Sequence, residues 1–167
     1  KVPDIPYGKV RDKGTPIDNL SNYNSSEEQI VFVCDEGSLS MAKLLFATKQ
    51  GMLKQVDGSE FQVAKRTIAA TKLLEEDEVI CVQVVTDGQS IVLQTTNGYF
   101  LRFASTEVPE KKKGAVGARG IKLQKKDELE QVYLLEEGVE QKVLYKEKEV
   151  TLNRLKLARR DGIGTKR

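Results

Sequence analysis

The sequence predicts an all-β chain built from repeated sheet units, on three observations. Its apolar segments are short, β-branched and closely spaced; turn signals separate them; and the pattern recurs at a period of about 47–50 residues. The predicted strands are 30–34, 44–48, 79–85, 91–95, 99–103, 132–135 and 143–145. Between them stand Lys49-Gln50-Gly51, Asp57-Gly58, Asp87-Gly88 and Asn97-Gly98. The last joins IVLQTT to YFLRF and reads as a type I′ hairpin turn, which needs φ > 0 at both central residues. No segment combines a 3.6-residue apolar period with caps. The stretch 67–75 (TIAATKLLE) is the best helical competitor, but its Thr and Ile content and its repeat partner argue for strand.

The repeat is explicit. Leu45 to Gly51 aligns with Val92 to Gly98 at an offset of 47. Lys72-Leu73 followed by Asp77-Glu78-Val79 aligns with Lys122-Leu123 followed by Asp127-Glu128-Leu129 at an offset of 50, and Ile30 to Val33 with Val79 to Val82 at 49. A weaker copy starts at Val143. The reading is one domain over 1–167 with about three and a half to four units, roughly 1–42, 43–89, 90–141 and a partial 142–167. Each carries about four strands, the size and strand count of a propeller blade.

At 167 residues, 39% hydrophobic and 31% charged, the composition is that of a globular domain with a real core. No apolar run approaches the roughly 20 residues of a membrane helix, no signal peptide is visible, and no membrane role is expected. The chain starts without Met, inside a polar motif, and reads as a piece of a longer protein. Cys34 and Cys81 lie in apolar runs and are expected to be buried free thiols on strands, in a reducing cytoplasm. With no His and no paired Cys, no metal site is expected. There is no P-loop and no nucleophile–base pair, so no catalytic residue and no cofactor are expected in this domain. Gly114, Gly117 and Gly120 lack the strand–helix context and pattern of a dinucleotide loop.

Net charge is only +2, but the charge is segregated. Residues 142–167 carry nine bases against three acids, residues 127–140 carry six acids and no base, and 75–78 read Glu-Glu-Asp-Glu. A basic loop recurs in each unit: Arg11-Asp12-Lys13-Gly14-Thr15, the glycine-free Ala64-Lys65-Arg66-Thr67, Lys113 to Gly120, and Arg160 to Thr165. Acidic turns follow about ten residues later and are expected to be solvated. Because charge keeps step with the repeat, radial stacking should gather the bases on one surface and the acids on another.

Together these motifs resemble the C-terminal domain of the A subunits of bacterial type IIA topoisomerases, DNA gyrase and topoisomerase IV. The resemblance rests on an apolar strand ending in Thr-x-x-Gly (LLFATKQG; VLQTTNG) and a strand carrying a base (MLKQV; YFLRF). There follow Glu60-Phe61 or Glu107-Val108-Pro109, a basic loop, Ile68 to Leu73 or Ile121-Lys122-Leu123, and Asp-Glu-Val or Asp-Glu-Leu. Asp4-Ile5-Pro6 and Lys13 to Pro16 also suit the family. The resemblance implies a β-pinwheel, a propeller relative whose neighbouring blades exchange strands. It implies non-sequence-specific binding and bending of duplex DNA on a basic rim, which presents a DNA segment to a separate cleavage core. Its implied partners are double-stranded DNA, the rest of the A subunit, through which it meets the ATPase B subunit, in the nucleoid-associated cytoplasm. It also implies that no Tyr of this chain is the cleavage nucleophile. The gyrase signature box is degenerate here: Ala158 to Gly164 has Asp161 where the first Gly should be and Ile163 where the Lys should be. That fits topoisomerase IV better than gyrase and leaves both open.

Phosphate recognition calls for Lys, Arg, backbone N–H groups and glycines that let a backbone approach a duplex. The candidate contacts are Lys65, Arg66, Arg102, Lys111, Lys112, Lys113, Arg119, Lys122, Arg159, Arg160, Lys166 and Arg167, with Lys9, Arg11 and Lys13 as weaker ones. No recognition helix or aromatic platform is evident, so backbone charge and DNA deformability should govern binding. The competing reading is a propeller that docks a partner protein, against which the 6% aromatic content weighs, since interface hot spots favour Trp, Tyr and Arg.

Overall fold

The computed structural model describes residues 5–167; Asp4 of the Asp-Ile-Pro motif lies outside them. The chain divides into two compact units, residues 1–30 and 31–167. In the first, a 3₁₀ turn at Ile17–Asn19 is followed by a local polar knot. Asp18 accepts the Ser25 N–H at 2.7 Å, Glu28 the Asn24 N–H at 2.7 Å, and the Tyr23 hydroxyl donates to the Glu28 carbonyl at 2.9 Å.

Residues 31–167 carry the sheets. The first blade comprises β1 (Lys43–Thr48), β2 (Met52–Asp57), β3 (Val79–Val85) and β6 (Ala118–Arg119), in the order β3-β1-β2-β6. The second comprises β4 (Ser90–Thr95), β5 (Tyr99–Ala104), β7 (Leu129–Leu135) and β10 (Thr165–Lys166), in the order β10-β5-β4-β7. A third unit contributes the hairpin β8 (Lys142–Tyr145) and β9 (Lys148–Thr151). The edge strand of each full blade therefore comes from the next unit: β6 pairs with β2, and β10 with β5. This exchange makes the fold a β-pinwheel.

Side chains alternate across the strands, so each central strand serves two cores. Leu45 and Ala47 of β1 face Ile91 and Leu93 of β4 in the core between the blades, together with Leu53, Leu101, Phe103 and Ile121. Val92, with Phe100 and Leu135, faces the third unit's Tyr145, Val150, Leu152 and Leu155. Leu44, Phe46, Val56 and Val82 form a third cluster, covered in part by Phe32, Leu39 and Phe61. Full burial of each such side chain is worth about 1.5–3 kcal/mol.

The Thr-x-x-Gly motif has a local physical reason. The Thr48 and Thr95 carbonyls accept the N–H of Gly51 and Gly98, both at 2.9 Å. Their hydroxyls accept the N–H of Met52 at 3.1 Å and Tyr99 at 3.2 Å. Only the glycine adopts positive φ, 78° at Gly51 and 83° at Gly98. The Asn97-Gly98 turn is thus not the expected type I′. That geometry occurs instead at Lys146-Glu147, where φ is 45° and 64° in the two-residue loop between Tyr145 and Lys148.

Other expectations need correction. Residues 30–34 form no strand, and none precedes Lys43 among the described residues. Cys34 is accordingly exposed, while Cys81 on β3 is half-buried. A short helix α1 (Glu36–Met41) follows, capped by Asp35, whose carboxylate accepts the Ser38 N–H at 2.8 Å. The stretch 67–75 forms neither strand nor helix. The acidic turns are not simply solvated. Asp77 accepts the N–H of Gln50 at 2.9 Å, and Asp127 accepts the N–H of Asn97 and the Thr96 hydroxyl, each at 2.9 Å. The Asp-Glu motif thereby ties the last strand of each unit to the hairpin turn of the same unit.

Candidate nucleic-acid interface

The basic loops 111–122 and 158–167 are each built as an excursion from a blade edge. After β5 and β9 the chain makes a 3₁₀ turn (Ser105–Glu107; Leu152–Arg154). Glu110 and Leu157 then form parallel bridges to Gln55 and Arg102 of the preceding unit. The chain leaves that edge at Lys111 or Ala158 and returns antiparallel at β6 or β10.

Two loop glycines make the return possible. A Cβ on Gly117 would lie 2.8 Å from the Leu53 carbonyl oxygen, and one on Gly164 2.6 Å from that of Phe100. These are equivalent positions, and here the bare backbone is used for packing between units. A Cβ on Gly114 would meet nothing within 4 Å.

Consecutive loops also touch. The Asp161 N–H donates to the Gly120 carbonyl and the Lys122 N–H to the Gly162 carbonyl, both at 2.8 Å. Arg119 holds the Asp161 carboxylate in a two-pronged fork, and Arg160 donates from Nη1 to the Arg119 carbonyl. On the other side, Thr71 to Leu74 border the same small cavity as Val116 and Gly117. Loops 64–74, 111–122 and 158–167 therefore follow one another side by side.

The structure sorts the twelve candidate bases into two groups. Lys65, Arg66, Lys112, Arg119, Lys122, Arg159, Lys166 and Arg167 are exposed on these loops. Lys112 stands 3.2 Å from the Glu60 carboxylate yet keeps 88% of its side chain exposed. The Lys166 ammonium lies 5.8 Å from the Tyr99 ring centroid. The other four are turned toward the chain's own acceptors. Arg102 donates to the Ser90 hydroxyl at 3.0 Å and from Nη1 to the Asn153 carbonyl. Lys111 donates to the Val116 carbonyl at 3.2 Å, Lys113 to the Glu60 carbonyl at 2.7 Å, and Arg160 from Nε to the Glu107 carbonyl at 2.9 Å. Lys9, Arg11 and Lys13 are exposed within the separate unit 1–30. The expected separation of charge is also incomplete, since Glu60, Glu107 and Asp161 sit directly against basic loops.

Three contributors escaped the sequence reading. Lys146 and Lys148 share a groove with Lys166 and Arg167; they belong to the basic run 142–167 that was visible in the sequence. Lys54 is 1% exposed, and its ammonium donates to the carbonyls of Lys112, Lys113 and Ala115 at 3.2, 2.9 and 2.7 Å. Desolvation lowers its pKa from the ordinary lysine value. Its position is one residue before that equivalent to Arg102, and Leu101 occupies the same place in the next unit.

A sequence model of the DNA gyrase C-terminal domain, beta-propeller family matches residues 42–86 and 89–136. The chain belongs to the DNA gyrase C-terminal domain family. The two matched segments coincide with the two complete units, each running from its central hairpin through its last strand. Similar proteins include the DNA gyrase A subunit of Lawsonia intracellularis, 35% identical over 139 residues, covering 82% of this chain and 17% of that protein. That of Deinococcus deserti is 33% identical over 125 residues, covering 74% and 15%. The chain thus spans about a sixth of these relatives. Among solved structures, the C-terminal domain of a DNA topoisomerase IV matches with TM-score 0.86 at 23% identity, over 99% of this chain and 53% of that one. A DNA gyrase A C-terminal domain matches with TM-score 0.74 at 21% identity, over 93% and 53%. The chain is a C-terminal-domain segment of a type IIA topoisomerase A subunit. No helix among the described residues is long and apolar enough to cross a membrane.

Proposed function

We propose that this domain binds and bends duplex DNA without reading its sequence, along the line of loops 64–74, 111–122 and 158–167. It presents the bent segment to the cleavage core of its A subunit. The ATPase B subunit works through that core in the cytoplasm. The contacts are Lys65, Arg66, Lys112, Arg119, Lys122, Arg159, Lys166 and Arg167. One observation carries the reading: backbone hydrogen bonds join loops 111–122 and 158–167, and residues 71–74 border a cavity with Val116 and Gly117, which supports a row of exposed cations rather than isolated patches. Such a row neutralises phosphates on a curved path, and its affinity comes from counterion release. Among the described residues no helix of groove-reading length is available to meet base edges.

The test is binding to a random duplex of about 40 base pairs across a salt series. Affinity falls steeply with salt, with a log–log slope near −0.9 per phosphate neutralised. Charge reversal of Lys122, Arg159 and Arg167, all exposed, flattens the slope by about 0.9 for each phosphate left without its cation. Binding indifferent to salt, or a slope unchanged in the triple variant, overturns the proposal.

A further inference from the structure

The strongest feature of the row that DNA binding alone does not explain is an acid within it. Asp161 sits among cations: Arg119 takes its carboxylate in a two-pronged fork, and Lys122 and Arg160 lie close enough to act on it electrostatically. Its own side chain does not put it there. The backbone does, through the bond from its N–H to the Gly120 carbonyl at 2.8 Å and the bridge between Ile121 and Gly162. The carboxylate is therefore delivered by one unit onto the arginine of the preceding unit.

The backbone is an unusual place for this residue. Asp161 has φ 67°, in the left-handed region that glycine and asparagine occupy more readily. Both partners are also half open to water, with 55% of the Arg119 and 36% of the Asp161 side chain exposed. An exposed ion pair contributes little to stability. Folding alone would be served as well by Asn or Gly. What the carboxylate does supply is two oxygens in the planar fork with which a guanidinium also grips a phosphate.

We infer that Asp161 is a built-in stand-in for a DNA phosphate, which occupies Arg119 in the free domain, must be displaced by the duplex, and thereby holds affinity down. This rests on the DNA-binding reading above and adds to it an affinity-setting residue. Arg119 is then a conditional contact, engaged only when a phosphate outcompetes the tethered carboxylate, whereas Lys122 and Arg159 are available throughout.

Asp161→Asn tests this, because Asn keeps the shape, tolerates positive φ and removes the charge. On the same 40-base-pair duplex, the variant binds about three- to ten-fold tighter at low salt, and its salt slope steepens by about 0.9. Removing any acid near a basic row raises affinity somewhat through the long-range field, so the decisive comparison is made in an Arg119→Gln background. There the gain from Asp161→Asn shrinks by at least three-fold. An equal gain with and without Arg119 overturns the stand-in, as does no gain at all while the wild type binds. If neither the wild type nor the variant binds DNA, the DNA-binding reading fails as well. Thermal melting of Asp161→Asn stays at or above that of the wild type; a large fall shows that the pair serves the fold and overturns the inference.

Discussion

The carboxylate of Glu107 accepts the backbone N–H of Arg160 at 2.9 Å, and the Arg160 side chain returns a bond from Nε to the Glu107 carbonyl at 2.9 Å. One unit earlier the same exchange links Glu60 and Lys113, at 2.8 and 2.7 Å. Both pairs span 53 residues, and each fastens the start of a basic loop to the preceding unit. The clamp uses either cation because the basic side chain need supply only a donor. It also explains why a base in a basic loop is not automatically a DNA contact: in loops 111–122 and 158–167 one base is held by the blade behind it.

The clamp should respond to pH. The Lys113 N–H, aided by the Lys112 side chain, holds the Glu60 carboxyl below the ordinary glutamate range. A folded-state pKa below the unfolded value means the stabilisation is complete above the ordinary glutamate pKa and is lost as pH falls through the lowered one. The melting temperature of the wild type should therefore fall over that acidic window. Glu60→Gln should fall less steeply there and melt lower than the wild type at neutral pH. Parallel curves for the two proteins would show that Glu60 contributes nothing.

The loop glycines make separable predictions. Gly117→Ala and Gly164→Ala put a methyl group within 2.8 and 2.6 Å of a carbonyl oxygen on rigid strands. Each should lower stability by about 1–3 kcal/mol in denaturant melts. Gly114→Ala, in open space, should stay within about 0.5 kcal/mol. Comparable losses at all three positions would refute the packing role assigned to Gly117 and Gly164.

The two thiols should react at different rates with a disulfide reagent. Cys34 is exposed, whereas burial pushes the Cys81 thiol up to about 11. The thiolate is the nucleophile, so Cys81 reacts slowly in mild base and accelerates as pH rises. Cys34→Ser should abolish the fast phase and Cys81→Ser the slow one. A single fast phase of two thiols would contradict the burial of Cys81.

What was legible in the sequence was periodic. The hairpins announced themselves because Thr48 and Thr95 need a hydroxyl and Gly51 and Gly98 need positive φ, which leaves a fixed-spacing signature. The exchanged strands did not, because β6 and β10 are two residues each and their partners lie in the preceding unit. The stretch 30–34 misled because its unbroken, β-branched apolar run suits a strand, while strand formation requires a pairing edge that its composition does not reveal. The interface was legible as charge but not as contact. Lys112 and Lys113 are neighbours with the same side chain, yet the first is largely exposed and the second is bonded to Glu60. Only the path of the backbone decides which.

Lys54 gives the sharpest test of how a blade shapes the loop in front of it. Its ammonium fills the interior of the 112–117 excursion, where three carbonyls converge and each requires a donor. Its ammonium also lies over the Phe46 ring, 5.5 Å from the centroid. Lys54→Ala removes the donor and the packing together, leaving buried acceptors unmet, and should cost about 2–4 kcal/mol. Lys54→Leu copies the next unit, where Leu101 stands at the equivalent position, and should recover part of that loss by filling the space. Neither variant removes an exposed cation. If the loop keeps its shape without Lys54, the salt slope of DNA binding stays at the wild-type value; if Lys54 sets the position of Lys112, the slope falls while the rest of the domain stays folded. A Lys54→Ala protein as stable as the wild type would show that the three carbonyls find other donors.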